Sequence, residues 1–425
     1  MGRIFNAVAT ITSSLVSRSN RKKTLKNIKR INNTNRNLFH VGKVSVDSII
    51  PINYQVGNLC ISGGDHDVRR AFVLQNVKQS LSIGMPVIIL HEGNYHLEHE
   101  LTSFNSNQSY VRIINSNNPF YDPIYRLNDD DAARLIVEAS LDEHKIDTSG
   151  VLYLRALNSL LRKKGITPYL RMMASCPHNS IQNVIAQEEQ AGVISVDEAT
   201  AIRNDITAGM NSRSSIEFFF SCVQNEADTV AWKSHLSRST SISECIKRGG
   251  VIAIDIGTTN KQSQLSLIIA EIESCISLGI PCRLIVDAKS IVGCKKMIEL
   301  LKRSSSMLLW TLSTPDVGNL SGTTREELTT WMALSHKTIL FSHSIHTAEQ
   351  LSSELGDYEH IEVTQAHAGN NSIGQFGLHF GATNNLSTTN KRERVIKPEE
   401  ILNLNTNEFF MLDNNTASLM KGVVV

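Results

Sequence analysis

From residue 249 to residue 355, short apolar runs alternate with stretches of helical spacing, and this alternation leaves few possible folds. Gly249–Ile256, Cys282–Asp287, Met307–Leu312 and Lys337–Phe341 read as buried strands. Ser263–Leu278, Val292–Arg303, Arg325–Ser335 and Thr347–Leu355 read as helices, the last ended by Gly356. Near-continuous apolar strands joined by helices of this length imply a largely parallel sheet covered on both faces.

The same grammar begins earlier. Val41–Ile50 is strand-like, and the apolar run Asn58–Ser62 stops at Gly63-Gly64. Val68, Phe72, Val73, Val77 and Leu81 then recur at helical spacing, Gly84 closes that helix, and Pro86–Leu90 is a buried-type strand. This is a βαβ unit. Between the two α/β stretches the pattern is almost wholly helical: Ala132–Leu141, Val151–Lys164, Tyr169–Ala174, Ile181–Gly192, Val196–Gly209, Ile216–Val223 and Ala227–Leu236. The expected organisation is a basic amino-terminal arm with an amphipathic helix (1–37), an α/β domain in two parts (38–127 and 248–415), an all-α domain inserted between them (128–247) and a tail (416–425).

Hydrophobic residues make up 41% of the 425, enough for a sizeable core, which excludes a disordered or fibrous chain. The net charge of +1 conceals an asymmetry. Residues 1–46 hold ten Lys and Arg and no carboxylate, leaving 32 basic and 41 acidic residues for the rest. A basic segment ahead of an acidic body suggests an interaction tail. The seven cysteines include no CxxC pair and no zinc-ligand spacing, which fits reduced thiols in the cytoplasm.

No run of 18 apolar residues is present, so no transmembrane helix is expected. Ile4, Phe5, Val8, Ile11 and Leu15 fall at helical spacing ahead of the basic residues. Such a segment can lie on an anionic membrane surface, and residues 1–30 are therefore a candidate peripheral contact with the inner membrane face. Its plainer reading is a helix packed on the body or on a partner. Residues 18–36 are polar, basic and without a period, so they read as a linker. Arg18, Arg21, Lys22, Lys23, Lys26, Lys29 and Arg30 are its candidate contacts to DNA or lipid phosphate. Aromatic residues are too few there for base stacking.

In parallel sheets, ligands bind at the carboxyl ends of the strands. The first such turn, Ile61–Arg70, stands where a phosphate-binding loop would stand. Gly63 can serve as the first Gly of GxxxxGK[ST], but Val68, Arg69 and Arg70 then occupy the positions of the second Gly, the Lys and the hydroxyl. Asp65 and Asp67 bring negative charge towards a polyphosphate. Gly63, Gly64, Arg69 and Arg70 thus form a degenerate nucleotide or lone-anion site, and a Gly turn capped by an aspartate is the plainer reading. Asp287 ends an apolar strand as a Walker B acid does, yet Ala288 follows where a water-activating Glu is common. Ser313 ends the next strand.

These elements in this order, with Leu90-His91-Glu92-Gly93-Asn94, Asn118-Pro119-Phe120 and the closing Arg392–Leu404 segment, resemble the type IV secretion coupling-protein family, of the conjugative TraG/TraD type. The resemblance spans roughly residues 38–412 and places the chain within the FtsK/HerA-like motor group. It implies a RecA-like α/β fold with an inserted all-α domain, hexamers, DNA substrates, ATP hydrolysis and other transfer proteins as partners. Position by position, Gly63 and Asp287 match the family's nucleotide motifs. Val68, Arg69, Arg70 and Ala288 depart from them. His91 stands where an Asp is common, and Ser313 where a Gln senses the phosphate.

The expected function is a catalytically degenerate, coupling-protein-like component that assembles or recruits, as a homo- or hetero-oligomer, in a DNA-transfer or secretion machine. No catalytic residue is assigned and no cofactor is expected, ATP and Mg²⁺ being open but disfavoured ligands. An active, divergent DNA-translocating ATPase using Arg69 and a membrane-surface scaffold are the alternatives. Among other constellations, His91, His96 and His99 with Glu92, Glu98 and Glu100 have some metal-site chemistry without HExxH spacing, and read as a solvated loop. His343 and His346 read as capping or packing residues. Ala368–Thr383, punctuated by four glycines, reads as a flexible polar surface loop with brief strand-like pieces.

Overall fold

The computed structural model describes residues 20–104, 110–140, 144–227, 239–257, 262–288, 295–303, 306–319, 325–374 and 377–425. The chain divides into two compact units, one of residues 1–43 and 341–423, the other of residues 44–340 with the last two residues.

The smaller unit begins with a helix over 20–36 (α1), followed by strand β1, Leu38–Val44. The linker reading fails here. Leu25, Ile28, Asn32 and Arg36 share one partly or fully buried face, which aligns a helix that its polar composition hides.

The larger unit opens with α2, Val46–Ile49, where the sequence suggested that a strand would continue. Next come β2 (Leu59–Ser62), α3 (His66–Ser82), β3 (Val87–His91), α4 (Tyr95–Phe104) and β4 (Val111–Ile114). A helical stretch follows: α5 (Asp129–Ala139), α6 (Gly150–Lys163), α7 (Leu170–Ala174), α8 (Ile181–Gln190), α9 (Val196–Ala208), α10 (Arg213–Ala227) and α11 (Ile242–Lys247). Its helix starts are chemically specified. Asn128 accepts from the Asp131 amide, and Ser195 and Glu198 form a capping box. The helix expected over Ala227–Leu236 falls almost wholly outside the described residues.

The α/β pattern then resumes with β5 (Val251–Asp255), α12 (Gln262–Ser277), β6 (Cys282–Asp287), α13 (Lys295–Lys302), β7 (Leu308–Thr314), α14 (Arg325–Leu334) and β8 (Lys337–Leu340). These strands pair in the order β8-β2-β7-β6-β3-β5-β4, every pair parallel. The four central strands β2, β7, β6 and β3 are buried along their whole length, as continuous apolar runs in a covered parallel sheet should be. One core layer joins Val73 and Val77 of α3, Leu97 and Leu101 of α4, and Ile89, Ala253 and Ile285 of the sheet.

The largest polar side chain within those runs is Arg283, second residue of β6 and fully buried. Its guanidinium donates to Ser80 Oγ (2.9 Å) and to the carbonyl oxygens of Val56 (2.6 Å) and Gly57 (3.3 Å). Burial lowers its pKa to about 10. Glu271 on α12 is buried as well. It accepts from Tyr121 Oη (2.6 Å) and the Ser243 amide (2.7 Å), and burial lifts its pKa to about 7.

The smaller unit closes with α15 (Ile345–Glu354), β9 (Asp357–Gly374), β10 (Gly377–Arg394), α16 (Pro398–Leu402), β11 (Glu408–Asp413) and β12 (Ser418–Val424). Strands β9 and β10 pair antiparallel from Asp357↔Arg394 to Gly374↔Gly377, so residues 368–374 and 377–383 of the glycine-punctuated stretch are paired strand rather than loop. Inter-strand backbone bonds are indifferent to side-chain type, which is why a polar, Asn-rich run can be strand. Helix α1 docks on this hairpin. The Asn32 side chain donates to the Ile361 carbonyl (3.0 Å) and accepts from the Ile361 amide (2.8 Å), and Asn35 donates to Glu359 O. His343 is buried, with Nδ1 2.6 Å from Phe341 O, while His346 lies exposed beside Gln350. No helix among the described residues is long and apolar enough to cross a membrane.

Candidate functional site at the carboxyl ends of the strands

The register brings Ile61, Ser313, Asp287, His91 and Asp255 into one row across five adjacent parallel strands, β2, β7, β6, β3 and β5. This row is the place where the fold offers a ligand site.

At the β2 end, Gly63 and Gly64 take φ of 81° and 67°, a left-handed conformation that favours glycine. The turn they make is tied from within. The Gly63 amide donates to Thr314 O (3.1 Å), and Ser62 Oγ accepts from the Val317 amide (2.9 Å). Arg69, only 5% exposed, bends back from the first turn of α3. One of its terminal nitrogens, Nη1, donates to Gly63 O (3.1 Å) and to Gly64 O (2.6 Å). Burial lowers its pKa, against the charges of Asp287 and Asp65. Arg70 leaves the turn on the other side and pairs with Asp67 (2.7 Å) and Glu100 (3.0 Å). Asp65 holds the N-cap position of α3, with its carboxylate outside the cap bond.

At the β6 end, both oxygens of Asp287 are engaged. Oδ1 accepts from Ser313 Oγ (2.7 Å) and Oδ2 from Asn94 Nδ2 (2.8 Å). Asn94 in turn accepts from the Leu97 amide (3.0 Å), so it orients Asp287 and starts α4 together.

His91 and Glu98 correct the solvated-loop reading. His91 is fully buried and Glu98 is 7% exposed. His91 Nδ1 accepts from the Asn94 amide (3.3 Å), which puts the neutral ring's proton on Nε2, 3.5 Å from Glu98 Oε1. The other Glu98 oxygen accepts from Asn115 Nδ2 (2.7 Å). Burial lowers the His91 pKa against the pull of Asp255 and Asp287. Burial raises that of Glu98, opposed by the Asn115 bond and aided by the Asp255 charge. Asp255 itself receives the Gly93 and Gly257 amides at 2.9 Å each. No group of three metal-ligating side chains occurs among the described residues.

The sequence reading missed Asn94, Asn115 and Asp255. Asp255 carried a signal, since it ends an apolar strand as Asp287 does. The two asparagines lie in turns and act only once the sheet brings them to the row.

The basic residues lie elsewhere. Lys22, Lys23, Lys26, Lys29 and Arg30 occupy the exposed face of α1, Arg21 is half-buried, and Arg18 lies outside the described residues.

No protein-family model matches the chain, and no curated protein matches it. Solved structures do. The unbound bacterial conjugative coupling protein TrwBΔN70 aligns over 90% of this chain and 92% of its own, at 16% identity and a TM-score of 0.51. The plasmid coupling protein TrwB with a non-hydrolysable GTP analogue aligns over 94% and 91%, and with an ATP analogue over 89% and 92%, both at 15% identity and a TM-score of 0.50. This chain has the coupling-protein fold. Its parallel sheet flanked by helices is the RecA-like arrangement that the sequence led us to expect.

Proposed function

We propose that this protein is a non-hydrolysing, coupling-protein-like component that acts by assembly or recruitment in a DNA-transfer or secretion-type machine. The observation that carries the reading is the bonding of Arg69. The side chain nearest the place of the phosphate-loop Lys gives hydrogen bonds to the Gly63 and Gly64 carbonyl oxygens, inside the turn. A phosphate loop works by aiming backbone amides and an ammonium at the ligand. Here Arg70 is paired with carboxylates, the Gly63 amide is bonded to Thr314, and Asp287 is bonded to Ser313 and Asn94. Arg69 Nη1, Arg70, the Gly63 amide and both Asp287 oxygens thus already have protein partners, and Ala288 supplies no base. The reading includes an oligomer, a hexamer by analogy with the fold's motor group.

The exposed basic face of α1 supports a second element of the reading, contact with the phosphates of DNA or of an anionic membrane surface.

Phosphate release from ATP, followed with and without DNA, tests the proposal. The expected result is no turnover in either condition. A steady rate stimulated by DNA would instead establish the active translocating ATPase.

A further inference from the structure

Three arginines converge on a pocket at the opposite, amino-terminal edge of the parallel sheet. Tyr110 directly precedes β4, Arg112 projects from that edge strand, Tyr125 and Arg126 come from the loop before α5, and Glu244 and Arg248 come from α11 and its end. The cavity measures about 290 Å³.

The three cations meet one carboxylate. Glu244 Oε1 accepts from Arg126 (2.9 Å) and from Arg248 (2.8 Å), so two guanidinium groups share a single oxygen. Arg112 donates to Tyr110 Oη (3.0 Å) and has no carboxylate partner among the described residues. Charge compensation is therefore incomplete, and the pocket carries an excess of two positive charges.

The guanidinium groups are also held in place. Those of Arg112 and Arg248 lie 4.5 and 4.7 Å from the centre of the Tyr110 ring, and that of Arg126 lies 5.1 Å from Tyr125. Tyr125 is itself stacked on Tyr169 (6.4 Å, 6° between planes). Tyr110 can occupy its position because residue 250 is glycine: a Cβ there would fall 2.3 Å from Tyr110 O and 2.8 Å from its ring. Arg126 holds a left-handed φ of 62°, which an arginine rarely adopts. All three arginines are exposed, yet each is set against an aromatic ring. Planar forks that are fixed, fully charged and short of carboxylate match a phosphoryl group.

We propose that Arg112, Arg126 and Arg248 form a binding site for a phosphate group, either free phosphate or a phosphodiester of single-stranded DNA. The site is separate from the Gly63–Arg70 turn and does not depend on how that turn is read.

Calorimetric titration of the full chain at low salt, with inorganic phosphate in one arm and a short oligothymidylate in the other, tests this. Saturable binding is expected in at least one arm, and competition between the two probes identifies the source of the phosphate. Arg112→Gln and Arg248→Gln should each weaken that binding about tenfold or more. Arg134→Gln, which removes an equal charge from a surface helix, should leave it unchanged, and melting curves confirm that each variant is folded. Absence of saturable binding in both arms, or equal affinity in folded Arg112→Gln, would overturn the proposal.

Discussion

Arg69 Nη1 donates to the Gly64 carbonyl oxygen at 2.6 Å, from beneath the turn that follows the first strand of the parallel sheet. A cation in this place stabilises the backbone of the turn instead of facing a ligand. The first consequence concerns stability. Arg69→Met removes the donor to two carbonyl groups and should lower unfolding free energy by about 2 kcal/mol, measured by urea titration. Arg69→Lys, with a single nitrogen on a flexible stem, should recover only part of the loss.

Arg283 offers a sharper stability test. Its guanidinium donates to the Val56 and Gly57 carbonyls and to Ser80 Oγ, deep between β6 and α3. Arg283→Met keeps the stem and leaves those acceptors buried without it. The expected loss is about 3 kcal/mol in urea unfolding, well beyond that of an ordinary surface substitution.

Glu271 gives the fold a dependence on pH. Its folded pKa, lifted by burial to about 7, lies above the ordinary 4.5. Its contribution is complete below pH 4.5, where both states are protonated, and is lost as pH rises through about 7. At about 1.4 kcal/mol per pH unit, the interval from 4.5 to about 7 makes the loss about 3 to 4 kcal/mol. Relative to the wild type, Glu271→Gln should therefore gain melting temperature steadily between pH 4.5 and 7, and hold a constant difference above that.

His91 acts with the opposite sign. Burial depresses its pKa below the ordinary 6.5, so it contributes stability above pH 6.5 that is lost as pH falls through its folded value. Nitrogen chemical shifts should report a neutral ring, protonated on Nε2, at pH 6.5. A half-charged ring at that pH would contradict the burial of the His91–Glu98 pair.

Much of the parallel sheet was legible because its strands are apolar from end to end, and a buried strand leaves that trace in any sequence. Cys282–Asp287 was read to the residue, and Asp287 and Ser313 fell at strand ends as expected. Two elements were illegible for one reason. Helix α1 is aligned by side-chain bonds such as Asn32 to Ile361, and the hairpin β9–β10 by backbone pairing, and neither interaction requires an apolar period. At the site, the sequence showed that Arg69 and Arg70 replace the usual residues but not where they turn. Direction depends on which carbonyl or carboxylate stands nearby, and tertiary structure sets that. His91 and Glu98 were misread because charged letters suggest solvent, whereas α4 folds back and covers them.

Calorimetric titration of ATP with Mg²⁺ into the full chain tests the central claim most directly. A turn already closed by Arg69, with Asp287 held by Ser313 and Asn94, predicts no saturable heat at millimolar nucleotide. Micromolar binding, with turnover abolished by Asp287→Ala, would contradict it.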